Sequence, residues 1–550
     1  MIIRIRSADI VYCYSTLLTP RFTTLSMHVL RKALVVGFIL LIGLTATTRA
    51  DVEHVQQWGV FELTLKGPST GNPFTDIQLS AEFKQGNRSL TVNGFYDGDG
   101  IYKLRFMPET QGTWHYITHS NCSTLSGIAN ELVVVEPAKG NHGPVRVNGT
   151  YHFAYSDHTL YRPIGTTAYA WIHQGDLLAE QTLATLAKSP FNKMRMTVFP
   201  KHYEWNTNEP VLYPYSGTPP NHWDYTRFNP AFFQNLEKRV KQLSELGIEA
   251  DIILFHPYDK GHWGFDRMPK AADDLYLRYV IARLAAYHNV WWSLANEFDF
   301  LKEKTESDWD RFFHIVQSND PYNHLRSIHN GTLIYNNTLP WLTHASIQNG
   351  SATEDHGRAI LYRDVYQKPV IFDEAKYEGN LPQRWGNLTA EEMTLRFWEG
   401  TVAGTYVGHS ECYMDPKEII WWAKGGTLHG GSVARIAFLK KILEEGPNEG
   451  LEPIDKWQDC PFVGKRGQYY LGYFGRETPK TWPFSLYKAE LKQGMKFKVD
   501  IIDTWNMTMT PVDHIFVLKK PGKYFVGDVN ESKISLPDKP YIALRISRIP

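Results

Sequence analysis

The chain has 550 residues, 43% of them hydrophobic and 21% charged, an ordinary globular composition at a length beyond what one hydrophobic core organises, so two or three domains are expected. Lysine plus arginine and aspartate plus glutamate both total 58, for a formal net charge of zero, and with no long run of one sign neither a nucleic-acid nor an anionic-membrane partner is expected. Aromatic residues make up 14%, including 17 tryptophans, a share that suits sugar-stacking surfaces and a large core equally.

Residues 1–50 read as a leader. From Met27 the sequence runs "MHVLRKALVVGFILLIGLTATTRA": Arg31 and Lys32 precede an apolar stretch from Ala33 to Leu44, and small or polar residues lead to Ala50. This is the pattern of a secretory signal peptide over 27–50, cleaved near Ala50. The apolar stretch, about a dozen residues, falls short of the roughly 20 that span a bilayer; an uncleaved anchor is the alternative. Met27 makes a more conventional start than Met1. The expected location is secreted and extracellular, or periplasmic in a bacterium. Past the leader only Cys122, Cys412 and Cys460 remain, allowing at most one disulfide and no disulfide framework. Asn-X-Ser/Thr sites, among them Asn87, Asn330, Asn349 and Asn530, predict a glycoprotein if the host glycosylates.

Residues 51–138 alternate apolar and polar in short runs, such as Phe61, Leu63 and Leu65 or Ile77, Leu79, Ala81 and Phe83, with "GPSTGNP" and "DGDG" between runs. Period-two runs punctuated by Gly, Asn and Asp predict an immunoglobulin-like antiparallel β-sandwich, and "EPAKGNHGP" reads as a linker. Over 145–446 helical spacing alternates with short apolar runs. Phe232, Leu236, Val240 and Leu243 share a helical face, Gly247 ends that helix, and "IEADIILF" follows as a buried strand. Eight strands are expected, at Pro163–Thr167, Lys193–Phe199, Ile248–Phe255, Val290–Ala295, Leu325–Ile328, Thr343–Ile347, Val370–Phe372 and Thr405–Val407, which makes the fold class α/β and the architecture a (β/α)8 barrel. A doubly wound sheet would carry a glycine-rich turn after its first strand, and "GTTAYAW" offers only Gly165. Strand-like alternation returns over 451–550, in "QYYLGYF" and "YIALRI", predicting a closing β-sandwich.

Barrel chemistry sits at the C-terminal ends of strands. Glu297 follows the fourth strand in "WWSLANEFDF" and Glu374 follows the seventh in "KPVIFDEAKYEGN"; these strands face each other across the mouth, so the two carboxyl groups can flank one substrate. Retaining glycoside hydrolysis needs such a pair about 5 to 5.5 Å apart, one protonated and one ionised. Asp299 and Asp373 compete with their neighbours, but strand alternation should turn Asp373 away if Glu374 faces the mouth.

Here a family resemblance enters. "WSLANEFD" resembles the fourth-strand motif of the clan A glycoside hydrolases, in which an Asn-Glu pair supplies the acid/base, and "PVIFDEAKY" is similar to their seventh-strand nucleophile motif. The order sandwich, barrel, sandwich, with "YRPIGTTAYAWIHQ" on the first strand, resembles the apiosidase-like hydrolases, a group that has also carried a collagenase label. The resemblance implies that Glu297 is the general acid/base, Glu374 the nucleophile, Asn296 a donor to the sugar 2-hydroxyl, and Arg195 the arginine that keeps the nucleophile ionised.

Other strand-end residues form a candidate sugar-binding ring: His256 and Tyr258 after the third strand, His329 after the fifth, Gln348 after the sixth, and His409 and Glu411 after the eighth. Trp171 and Trp421 are candidate stacking platforms, as are Trp263 and Trp422. "HPYDKGHWGFD" lacks a recognised ligand spacing, so no metal is expected; "GHSEC" fails the nucleophile-elbow pattern at Cys412; no phosphate loop occurs, and no cofactor is expected. The expected function is a secreted retaining glycoside hydrolase acting on plant, algal or other extracellular polysaccharides or oligosaccharides. The alternative is an extracellular carbohydrate- or matrix-binding protein on a non-catalytic barrel.

Overall fold

The computed structural model describes residues 53–417, 419–455 and 460–550; the leader expected over 1–50 lies outside the described residues. Among the described residues no helix is long and apolar enough to cross a membrane.

Alternation builds the N-terminal domain as expected. In the strand Leu79–Gln85, Leu79, Ala81 and Phe83 are buried and the residues between them are not. Five strands form one sheet in the order Glu53–Gln56, Ala129–Val135, Gly112–Ser120, Leu79–Gln85, Arg88–Asn93, and Phe61–Lys66, Ile101–Phe106 and Phe95–Tyr96 form another. Phe83 of the first sheet stacks on Phe106 of the second with ring centroids 3.9 Å apart. One pairing departs from the antiparallel expectation: Glu53–Gln56 runs parallel to Ala129–Val135.

The barrel strands are β1 (Gly165–Thr167), β2 (Lys193–Thr197), β3 (Glu249–Phe255), β4 (Val290–Ala295), β5 (Arg326–Ser327), β6 (Ala345–Gln348), β7 (Val370–Glu374) and β8 (Tyr406–His409), one for each strand expected from the sequence. They lie in the order β5-β4-β3-β2-β1-β8-β7-β6, every ladder parallel. A single parallel bridge, His329 to Ser346, joins β5 to β6 and closes the ring. Among the described residues seven helices of eleven or more residues surround it: α1 (Asp176–Leu186), α2 (Pro230–Glu245), α3 (Lys270–Leu284), α4 (Glu306–Asn319), α5 (His356–Tyr366), α6 (Ala390–Val402) and α7 (Ser432–Glu444). Helix α2 shows how the sequence sets these boundaries. The Asn229 side chain caps it by accepting the amide of Ala231, Pro230 occupies its first turn, and Gly247 adopts φ +69 just beyond its end.

Residues 145–161, expected from the sequence to start the barrel, instead form a three-stranded antiparallel sheet, Val145–Asn148, His152–Tyr155 and Leu160–Tyr161. Its Phe153 packs 5.3 Å from Trp291, near the start of β4, and forms a cluster with Leu325 and Ile371. The N-terminal end of the barrel is plugged by this sheet. Inside, Lys193 of β2 lies 2.6 Å from Asp251 of β3 and 2.7 Å from Asp373 of β7, all three shut off from solvent. Buried ions persist only when paired in this way.

In the C-terminal domain a sheet runs Glu452–Asp455, Phe462–Lys465, Tyr469–Tyr473, Ile542–Ile549, Lys496–Asp503, Thr508–Pro511, with Phe516–Val517 also on Lys496–Asp503. Two short ribbons, Thr481–Pro483 with Lys533–Ser535 and Ser485–Tyr487 with Phe525–Gly527, complete it. Tyr473 stacks on Trp398 of α6 at 5.2 Å, docking this domain on the barrel. Among the described residues no disulfide joins Cys122, Cys412 and Cys460.

Candidate active site

The strand ends of β4 and β7 open onto one cavity of about 580 Å³ whose walls include both Glu297 and Glu374. Each reaches it by a departure from regular strand geometry. Glu297 adopts φ 49, ψ 56, a left-handed conformation that costs a non-glycine residue of the order of 1 kcal/mol or more and marks positions held by their surroundings. On β7, Ile371 pairs with Ser346 but Glu374 pairs with Gln348, so β7 carries one extra residue. This bulge overturns the alternation argument that would turn Asp373 away: Asp373 and Glu374 both face the barrel axis, the first toward Lys193 and the second toward the mouth.

The two carboxyl groups sit in opposite electrostatic settings. Burial pushes Glu297 up to about 8, reinforced by the charge of Glu374 and opposed by Lys201 and Gln348. Burial also raises Glu374, but His329, Arg195 and the Tyr169 hydroxyl outweigh it and bring the group down to about 2. All three of these groups converge on one oxygen: Tyr169 Oη donates to Glu374 Oε1, His329 Nε2 lies 3.5 Å from it, and Arg195 Nη1 lies 3.5 Å away. Second contacts fix these partners. Ser346 Oγ donates to Asp373 at 2.6 Å, so it accepts from His329 Nδ1 at 3.0 Å and aims Nε2 at Glu374. Asn296 Oδ1 accepts from Arg195 Nη2 at 3.1 Å and lies 3.3 Å from Tyr169 Oη, leaving its amide toward Glu297. The site thus holds one protonated and one ionised carboxyl group at neutral pH.

Of the remaining residues singled out in the sequence, Tyr258 and Gln348 line the cavity, while others are placed elsewhere for local reasons. His256 bonds the Phe199 carbonyl at 3.1 Å and accepts the Tyr258 amide, shaping the β3 loop from behind. His409 points out of the barrel, bonded to Thr166 at 3.1 Å and stacked 4.7 Å from Phe191. Glu411 accepts the backbone amides of His429 and Gly430 and anchors that loop. Trp171 is fully buried against Met196 on the outer side of β2. Trp421 is tied to Thr166 at 2.9 Å, and its neighbour Trp422 takes the cavity wall. Trp263 is buried under the hairpin Tyr215–Thr218 and His222–Phe228, its carbonyl accepting from Trp223 at 2.8 Å. Asp299 accepts three backbone amides from residues 331–333, a loop anchor. The side chain of Asn330, a sequon residue, is buried between the β5 and β6 loops, bonded to the Gln348 backbone. Among the described residues no group of three or more His, Cys, Asp or Glu is placed to hold a metal ion.

Much of the wall was not apparent from the sequence. Tyr169, Lys201, Tyr203, Trp205, Tyr377 and Trp385 all line the cavity. Trp205, Trp385 and Trp422 pack as a cluster, with centroids 5.2 Å apart for Trp205 and Trp385 and 4.9 Å apart for Trp385 and Trp422. An aromatic wall facing two carboxyl groups suits a pyranose or furanose ring, which offers C–H faces to the rings and hydroxyls to the polar edge.

Comparisons with known proteins agree with this geometry. The model of the apiosidase-like catalytic domain matches residues 151–445, and two domains of unknown function, DUF5060 and DUF5605, match 54–121 and 457–547. A crystal structure from Bacteroides vulgatus ATCC 8482, provisionally described as a glycoside hydrolase, is 44% identical, covers 90% of this chain and 100% of its own, and superposes with a TM-score of 0.87. A family 5 glycoside hydrolase from the same organism shares only the fold, with 14% identity over 74% of this chain and 94% of its own and a TM-score of 0.54. No curated protein matches. More than half of the chain lies within the family match and the barrel presents a carbohydrate-sized cavity at its strand ends; the protein belongs to the apiosidase-like family and is a glycoside hydrolase.

Proposed function

We propose that the protein is a secreted retaining glycosidase in which Glu374 is the nucleophile and Glu297 the general acid/base. The observation that carries this reading is the split between the two carboxyl groups in one cavity, Glu297 held protonated by burial and Glu374 held ionised by Arg195, His329 and Tyr169. In the first step a Glu374 oxygen attacks the anomeric carbon as the bond to the leaving oxygen breaks, and that oxygen takes the Glu297 proton. In the second, water attacks the anomeric carbon, its proton passes to the Glu297 carboxylate, and the ester bond to Glu374 breaks. Asn296, held by Arg195 and Tyr169, is positioned to donate to the sugar 2-hydroxyl.

Substrates proposed are plant, algal or other extracellular polysaccharides or oligosaccharides, and secretion rests on the leader motif at 27–50. The Trp205–Trp385 contact forms part of the cavity wall and narrows that side, which favours release of terminal sugars. The test is leaving-group dependence across a panel of aryl glycosides. Glu297→Gln should slow poor leaving groups far more than good ones and regain turnover with added azide, while Glu374→Ala should remove turnover of both. Equal, mild losses in the two variants would refute the assignment.

A further inference from the structure

The two-glutamate mechanism leaves one buried cation unused. Lys201 follows β2, is 1% exposed, and lines the same cavity as Glu297 and Glu374. Its ammonium lies 3.6 Å from the ring centre of Tyr169, 4.0 Å from Tyr258, 4.5 Å from Tyr203 and 5.0 Å from Trp422. Ring faces hold a cation in place, and among the described residues no carboxylate forms an ion pair with it. The cavity's other cations are engaged or peripheral. Arg195 is bound to Asn296 and lies within 3.6 Å of Asp251 and 3.5 Å of Glu374; Lys376 lies 3.5 Å from Glu354; Arg384 is exposed at the rim.

The charged and titratable groups that face Lys201 are Glu297, Glu374, Arg195 and Cys412, besides the three tyrosines and His256. Those that act on Glu297 are Glu374, Lys201 and Asp299, with a hydrogen bond from the neutral Gln348. Between the two half-reactions this balance changes. Before attack, the Glu374 carboxylate helps Glu297 keep its proton. Once Glu374 is esterified its charge is gone, and Lys201 is the cation that acts on Glu297.

We propose that Lys201 is a positioning residue for Glu297, the caged cation that stabilises the Glu297 carboxylate in the second half-reaction, when that carboxylate takes a proton from the attacking water. The inference rests on the two-glutamate mechanism and adds to it a residue that touches neither the anomeric carbon nor the leaving group. The proton balance closes: Glu297 loses its proton to the leaving oxygen, stands as a carboxylate in the cavity that Lys201 also lines, and regains a proton from water as the bond to Glu374 breaks. Burial depresses Lys201 to about 7, with Glu297 and Glu374 holding it up, so the cation and the acid titrate in the same pH range and each responds to the loss of the other.

The test uses Lys201→Met, which refills the aromatic cage without charge, and Lys201→Arg, which restores a cation. On an aryl glycoside with a good leaving group, where breakdown of the covalent intermediate limits the rate, Lys201→Met should lower kcat by roughly ten- to a hundredfold. KM should fall with it, kcat/KM should hold, and a burst of released phenol should appear. Lys201→Arg should recover kcat in part. In parallel, 13C NMR titration of the glutamate carboxyls, assigned with Glu297→Gln, should show Glu297 titrating at higher pH in Lys201→Met than in the wild type. Equal falls in kcat and kcat/KM would make Lys201 a substrate-gripping or packing residue and overturn the proposal, as would a Glu297 titration that does not move. The titration needs no substrate, so an inactive wild-type protein would sink the two-glutamate mechanism while the coupling between Lys201 and Glu297 could still be measured.

Discussion

Removing one hydroxyl from the site gives a sharp consequence. Tyr169 donates its phenolic hydrogen to Glu374 and also touches Asn296, while its ring faces the Lys201 ammonium. Tyr169→Phe keeps the ring and deletes only the hydrogen bond. A hydrogen bond to a charged group contributes about 1.5–3 kcal/mol, and each pH unit of displacement corresponds to about 1.4 kcal/mol, so Glu374 should titrate roughly one to two pH units higher. The sign follows from the direction of the shift. Glu374 is depressed to about 2 and must be ionised to attack, so activity is lost as pH falls through that value. Raising it moves the loss to higher pH. The assay is the acid limb of kcat/KM, measured over short times with circular dichroism at each pH to confirm that the fold persists. At pH 7 Glu374 is ionised in both proteins, so the difference should be concentrated below pH 5. An acid limb that coincides with the wild type in a folded variant would refute the argument that Tyr169 holds the nucleophile ionised.

Two further outcomes follow from where buried groups sit. Trp422→Ala should raise KM for glycoside substrates, whereas Trp421→Ala, which empties a packed site bonded to Thr166, should cost about 3–5 kcal/mol of stability and leave KM of the folded protein unchanged; reversed effects on KM would contradict the placement of the two rings. Glu249, at the start of β3, is buried beside Trp291 Nε1 at 2.9 Å and raised by burial to about 8. Because the folded protein holds that proton where the unfolded chain does not, this group lowers stability as pH rises from its unfolded value near 4.5 through about 8. Glu249→Gln should therefore stabilise the protein more at pH 8 than at pH 5, by an amount on the order of 1–3 kcal/mol read from denaturant melts at the two pH values, and a pH-independent effect would count against it.

The barrel was legible in the sequence because parallel strands buried on both faces read as short apolar runs between amphipathic helices. All eight strands stand where "IEADIILF", "VWWSLA" and their counterparts predict, and the two glutamates follow from their place after the fourth and seventh. What spacing could not carry was the geometry at the strand ends. The bulge in β7, which brings Asp373 and Glu374 to the same side, has no glycine to announce it. His409 stands at a strand end like Glu374, yet ordinary alternation on β8 turns it outward onto Phe191. Adjacent tryptophans 421 and 422 stand in one helical turn and face different ways, and nothing in "IIWWAKGG" says which one faces the cavity. Lys201 reads as a solvated lysine in "FPKHYEW"; its aromatic neighbours were the available signal, since Tyr203 lies two residues away, but Tyr169, Tyr258 and Trp422 arrive from three other loops. The sheet over 145–161 lies between the linker and the first barrel strand, inside the range read from the sequence as the barrel domain.

The anomeric form of the first-released sugar is the direct test of double displacement. Proton NMR during the opening minutes of hydrolysis, on the first glycoside that the wild-type protein cleaves, should show product with the same anomeric configuration as the substrate, because a covalent ester at Glu374 inverts the centre once and water inverts it again. Release of the opposite anomer would mean a single displacement by water and would contradict Glu374 as nucleophile.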